Sequence, residues 1–299
     1  FVRDNQSRKL LHDHRDIVMD SAFLSISLLD NGFGNTMEIA IGDNLLIRPW
    51  IKKLVRVDKA FIVQRSVSLR QMLASSTRLS RYMHYAIATK HENIWIAQRE
   101  GRAKDSNDRT QDSILKMMAM GGEGSIIDRL KQLNLVPTAL SYEYDPCDYL
   151  KAQEFQQKRD IEGFKKNPKD DLVNMQTGIF GYKGRICFRV AGPLNDWLDT
   201  LPADMPKTEL FTAVASRIDK EIHRNYKLYA GNYVAADLLR GTQEFAAHYT
   251  SEEKTRFEAY LESRLEKVTL PNPDTAFLRE RLLTMYANPV FNYMAARQE

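Results

Sequence analysis

The residues best placed to do chemistry lie in "LLHDHRDIVMDSAFL", residues 10–24. Here His12 and His14 flank Asp13, and Asp16 and Asp20 precede an apolar run. Two chemistries suit such a set. His12-x-His14-x-Asp16 has the spacing of a first ligand set in a metal-dependent hydrolase, since imidazoles and a carboxylate together bind zinc or iron. Alternatively, one imidazole held by a carboxylate accepts the proton of a hydroxyl as that oxygen attacks an ester or thioester carbonyl. The acid then fixes the ring tautomer and steadies the imidazolium that forms. A metal site needs further ligands downstream. Of the six histidines, His84, His91, His223 and His248 stand in or beside helical stretches, with no Gly-His or Asp/His-rich loop around them. The metal-free reading is therefore preferred; which of the two histidines is the base, and which of Asp16 and Asp20 holds it, these residues alone leave open.

A His/Asp base supplies roughly 10²–10⁴ in rate, so the rest must come from positioning and from a pocket for an anionic substrate. Cationic groups are expected at strand ends, and two segments provide them. "AFIVQRS" ends an apolar run with Arg65, and "IWIAQREGRAK" ends another with Arg99, Glu100, Gly101, Arg102 and Lys104. Glu-Gly-Arg just past a strand combines a flexible turn, a carboxylate and a guanidinium fork suited to phosphate. Open α/β sheets bind their ligands at the carboxyl ends of strands, which is where these charges fall.

The elements that would position these groups follow from the apolar pattern. Strands are expected over 61–65, 93–98, 135–142 and 185–192, each rich in β-branched or aromatic residues. Helices are expected over 67–90, where Leu69, Met72, Leu73, Ser76, Leu79, Tyr82 and Met83 follow a near 3.6-residue period, and over 111–134. This alternation predicts an α/β layer with a central, mostly parallel sheet flanked by helices. Beyond residue 195 the pattern is helical over 208–225, 231–248 and 251–267, the last opening on the capping-box pair Thr250 and Glu253. Residues 1–195 are thus read as an α/β core and 196–299 as a helical C-terminal extension packed on it.

Composition narrows the class. The absence of any run of about 18 apolar residues argues against a spanning helix. Cys147 and Cys187, far apart and outside any CxxC spacing, speak for a reducing compartment and against a disulfide scaffold. A net charge of +4 is too weak to indicate nucleic-acid binding. The basic residues are uneven, however: "IRPWIKKLVRVDK" at 47–59 mixes five cations with Trp50 and aliphatic residues, a blend suited to the headgroup region of an anionic membrane or to a solvated helix face. The chain starts at Phe1 rather than Met, so its natural N-terminus is expected upstream.

Taken in order, these stretches resemble the glycerolipid acyltransferases, the family of glycerol-3-phosphate and lysophosphatidate acyltransferases. "HRDIVMD" is similar to their His and downstream Asp, with Asp20 six residues past His14 where five is usual. "KAFIVQR" resembles Gly-x-Phe-Phe-Ile-x-Arg, with Lys59 in place of Gly. "AQREGRAK" resembles Phe-Pro-Glu-Gly followed by a base, with Arg99 in place of Pro. "VPTALSYEYDP" is similar to their proline-bearing strand leading into Ser-Tyr-Glu, and "YKGRICFRVAGPL" to a later strand ending in Gly-x-Pro-Leu. The resemblance spans residues 10–195. It implies His14 as general base, with Asp20 preferred to Asp16 as its partner and His12 as a local contact, and it puts Arg65 and Arg102 near an acceptor phosphate, where Arg99 and Lys104 are interchangeable with Arg102. Glu100 would lie near the acceptor hydroxyl. It further implies acyl-CoA or acyl-carrier protein as co-substrate with no cofactor, and a peripheral place on the cytoplasmic membrane face. A metal hydrolase using His12, His14 and Asp16, or a lipid-surface binding protein without catalysis, are the rival expectations.

Overall fold

The computed structural model describes residues 8–12, 14–46, 48–64 and 68–298. Six strands form one sheet: β1 (Lys9–His12), β2 (Glu38–Gly42), β3 (Ala60–Val63), β4 (Ile94–Ala97), β5 (Leu135–Tyr142) and β6 (Ile186–Val190), in the order β3-β2-β4-β1-β5-β6. All neighbours run parallel except β6, which is antiparallel to β5. A parallel sheet covered on both faces demands apolar strands, and β5 (LVPTALSY) is buried at every position. Around it lie α1 (Met19–Asp30), α2 (Pro49–Val57), α3 (Leu69–Ala88), α4 (Asp112–Met118), α5 (Ile126–Gln132), α6 (Asp148–Asp160), α7 (Pro168–Phe180) and α8 (Asn195–Leu198). They continue as α9 (Lys207–Arg224), α10 (Ala230–Arg240), α11 (Ser251–Leu265) and α12 (Thr275–Gln298).

The expected α/β class is therefore present, with differences that have local causes. The single helix expected over 111–134 is two, because Gly122 and Gly124 in the intervening "GGEGS" adopt φ +76° and +86°, values L side chains resist. The helix expected over 231–248 ends at Arg240, where Gly241 takes the left-handed C-cap conformation. The stripe expected along α3 is buried only in its C-terminal half: Met83 is fully buried, whereas Met72 and Leu73 are exposed.

Of the helices after residue 195, α9 shares the main core, whereas α10, α11 and α12 bury a second cluster of their own against Ala152 of α6. Leu210, Phe211, Val214, Ile218 and Ile222 of α9 pack in one buried cluster with Leu11, Ile94, Ile96 and Leu135 from the strands. A second tie is polar. Asp148 of α6, fully buried, accepts from Arg264 Nε (2.6 Å), Tyr260 Oη (2.6 Å) and Tyr286 Oη (2.8 Å). Tyr286 Oη also accepts from the Asp145 amide at 3.0 Å. Breaking a buried pair of this kind strands a charge and costs about 3–5 kcal/mol, so the C-terminal helices are locked to the segment that follows β5.

Candidate active site

His12 and Ala97 are register partners on adjacent parallel strands, so the segments that follow β1 and β4 emerge side by side at one edge of the sheet. The first carries His14 and turns into α1. The second carries Arg99–Glu100–Gly101–Arg102. It is anchored where Gln98 N donates to His12 O (3.1 Å), Gln111 N to Gln98 O (2.9 Å) and Glu100 N to Gln111 Oε1 (2.7 Å). Gly101 has φ +70° and open space where a Cβ would sit, so glycine is favoured there by backbone conformation rather than by crowding.

Of the two aspartates considered for His14, the structure pairs Asp20: His14 Nδ1 lies 2.9 Å from Asp20 Oδ2. Asp20 sits in the first turn of α1 and is 1% exposed. Its oxygens also accept from the amides of Arg15 (2.8 Å) and Asp16 (3.0 Å) and from Tyr142 Oη (2.8 Å). Burial pushes this carboxyl up, but the hydrogen bond and charge of His14, the charge of His12 and the Asp16 amide outweigh it, and the net shift is downward. An ionised carboxylate can only accept, so His14 Nδ1 must donate and Nε2 is left as the ring's acceptor. The residues between His14 and Asp20 form a turn that leads into α1. There Asp16 Oδ1 accepts from the amides of Val18 (3.0 Å) and Met19 (3.1 Å). Asp16 thus orders the turn through its own backbone neighbours. Burial and the neighbouring Asp20 push its own carboxyl upward, and Gly178 of α7 packs so close that a Cβ there would lie 2.1 Å from Asp16 Oδ2.

His12 is buried with its ring stacked on Trp95 at 3.7 Å, and its centroid is 5.8 Å from that of His14, edge to face. Among the described residues no group of three or more His, Cys, Asp or Glu side chains is arranged to hold a metal ion.

Two cavities meet at His14. The first, about 490 Å³, is polar and basic, and its lining includes Arg99, Glu100, Arg102, Lys104, Lys158 and Lys166. The second, about 90 Å³, is a narrow apolar slot between the sheet and α2, lined by Ile39, Ile41, Ile51, Leu54, Trp95 and Met175 among others. His14, Ile17, Leu45, Arg99 and Gly101 line both.

The structure distinguishes cations that the sequence leaves interchangeable. Arg102 Nη1 and Nη2 each donate to Asn174 Oδ1 at 3.3 Å. Lys104 pairs with Glu154, which also holds Lys158 at 3.0 Å. Burial lowers the Lys104 ammonium to about 8, against the opposing pull of Glu154 and with smaller repulsion from Lys158 and Lys166. Arg99 makes no hydrogen bond or ion pair among the described residues, and its Nε is buried. Arg65 lies outside the described residues. Lys59 adopts φ +55°, a left-handed conformation that favours glycine. Its ammonium bonds Asn35 Oδ1 (3.0 Å) and Glu92 Oε2 (2.7 Å).

Sequence reasoning missed Asn174, Glu154, Lys158 and Lys166, which α6, α7 and the segment between them bring to the cleft. The run "KKNPKDD" at 165–171 was the available signal. It also gave Tyr142 no role. Glu143, matched to the same motif, turns away and binds Arg185 through Nε and Nη2, each 3.0 Å. No protein-family model matches this sequence, and no curated protein matches it.

Proposed function

We propose that this protein is an O-acyltransferase that moves a fatty acyl group from acyl-CoA or acyl-carrier protein to a hydroxyl of a glycerol phosphate or lysophospholipid. The observation that carries the reading is the His14–Asp20 dyad standing where a basic cleft and an apolar slot meet. An acceptor whose phosphate lies against Arg102 and Lys104 would present its hydroxyl to His14 Nε2, while the acyl chain lies in the slot. His14 takes the hydroxyl proton as the oxygen attacks the thioester carbonyl, and Asp20 stabilises the imidazolium. The proton then passes to the departing thiolate, and no covalent acyl-enzyme forms. The ordered motif resemblance over residues 10–195 points to the same chemistry.

The same reading places the protein on the cytoplasmic face of an anionic membrane. In α2, Ile51 is buried while Trp50 and Val57 are 54% and 81% exposed, with Lys52 and Lys53 exposed beside them. The adjoining β3 and α3 expose Ile62, Met72 and Leu73. Apolar side chains interleaved with lysines suit anionic headgroups. Among the described residues no helix is long and apolar enough to cross a membrane.

The test is to incubate the protein with labelled acyl-CoA and either glycerol 3-phosphate or lysophosphatidate in vesicles. Label appearing in ester product, matched by free thiol, supports the reading. Vesicle binding with no turnover would favour a lipid-surface binding protein, and stoichiometric zinc or iron in the purified protein would favour a metal hydrolase.

A further inference from the structure

Arg99 stands apart from the other cations of the site. Arg102 is held by Asn174 and Lys104 by Glu154, whereas the Arg99 guanidinium makes no hydrogen bond or ion pair among the described residues although its Nε is buried. A buried donor left without a partner is costly, and such groups call for an explanation in function. Its place supplies one. Arg99 is among the few residues that line both the basic cleft and the apolar slot, and His14 is another. If the acceptor phosphate occupies the cleft and the acyl chain the slot, the junction is where the thioester carbonyl must lie.

We propose that Arg99 is a catalytic residue that receives the negative charge developing on the thioester carbonyl oxygen, rather than a reader of the acceptor's phosphate. This rests on the acyl-transfer reading above. As the acceptor oxygen bonds to the carbonyl carbon, its proton goes to His14 Nε2 and the carbonyl π pair moves onto oxygen, where the guanidinium donates hydrogen bonds to it. On collapse the C=O bond re-forms, the C–S bond breaks, and the leaving thiolate takes the proton back from His14. Preorganised donors aimed at such an oxyanion are typically worth about 10²–10³ in rate. No hydrogen bond or ion pair among the described residues neutralises the guanidinium where it lines the two cavities, and the charge of the buried Asp108 carboxyl is shared among Arg15, Arg99 and Lys151.

The test compares Arg99→Gln, Arg99→Lys and Arg102→Gln in the full chain. The expected result for Arg99→Gln is a kcat lower by about 10²–10³, with the KM of both substrates within about threefold. Arg99→Lys should recover part of the loss, and Arg102→Gln should instead raise the KM of the phosphate-bearing acceptor. A second readout needs no turnover: the infrared stretch of a ¹³C-labelled thioester carbonyl in bound acyl-CoA should move to lower frequency in the wild type and return toward its free value in Arg99→Gln. An Arg99→Gln protein with near-normal kcat, or one whose loss lies in the acceptor KM, overturns the assignment. So does a wild-type complex without the carbonyl shift. A shift that depends on Arg99 in a protein that transfers no acyl group would sustain the contact and refute the acyltransferase reading alone.

Discussion

Replacing Asp20 with asparagine probes the dyad most sharply, because the structure fixes what each atom of the new side chain would meet. The carboxylate accepts from His14 Nδ1, two backbone amides and Tyr142 Oη. With the amide nitrogen turned toward His14 it would face three donors and favour the wrong ring tautomer. Turned toward Tyr142 it meets a hydroxyl that can rotate to accept and a single amide, that of Asp16, which keeps its bond to the other oxygen, so this orientation should win. The tautomer then survives and the loss is one of charge. At a charge separation of roughly 4 Å and an effective dielectric of about 20, the attraction between Asp20 and the His14 imidazolium is about 4 kcal/mol. That corresponds to about 10³ in kcat, inside the range expected for a general base. Exchanging charge-assisted for neutral hydrogen bonds at this site should also lower stability by about 2–4 kcal/mol, partly offset because no buried charge need be desolvated. Turnover should therefore be measured per folded molecule, with circular dichroism recorded under the assay conditions. A folded Asp20→Asn protein whose kcat stays within about threefold of wild type would refute the reasoning.

Acid should act through the same residue. Because the Asp20 carboxyl is held below its ordinary value, its contribution to stability is fully present above about pH 4 and is lost as pH falls through the folded-state value. Urea midpoints should then fall more steeply with acid in wild type than in Asp20→Asn, and parallel curves would contradict this. At Lys59, substitution by Gly relieves a left-handed residue of about 1–2 kcal/mol of strain and gives up a part-buried pair with Glu92, so Lys59→Gly should be tolerated better than Lys59→Ala; denaturant midpoints in the opposite order would count against the strain argument. For membrane attachment, Lys52→Gln with Lys53→Gln should weaken binding to anionic vesicles by about 2 kcal/mol, roughly 30-fold, at about 1 kcal/mol per lysine. Unchanged flotation with such vesicles would exclude α2 as the anchor.

Much of this architecture was legible because burial leaves a continuous trace. β5 reads as eight apolar-compatible residues ending in a turn, and α11 announces itself through Thr250 and Glu253, whose capping box is present. β1 was not legible: four residues, two of them Lys9 and His12, carry no strand signature, and they are buried because β1 lies inside the sheet with α1 and α3 covering its faces. α12 continues through Pro289, a residue that ordinarily signals a break. Within the site, His14 and Asp20 could be found from one another because they share a turn. Asn174 and Glu154 could not, since their reach to Arg102 and Lys104 spans 72 and 50 residues and depends on how α6 and α7 fold back. The exposed Met72 and Leu73 show the reverse limit, for periodicity reveals a stripe but not whether protein or some other surface covers it.

The central claim is that the His14 imidazole, braced by Asp20, removes the acceptor's proton. His14 is 16% exposed, and without its ring the Asp20 carboxylate still accepts from the Arg15 and Asp16 amides and from Tyr142 Oη, so His14→Ala should fold. Measured with labelled acyl-CoA and the preferred acceptor, that variant should lose at least about 10² in kcat while still binding acyl-CoA; a folded His14→Ala protein that transfers acyl groups at the wild-type rate would contradict the account.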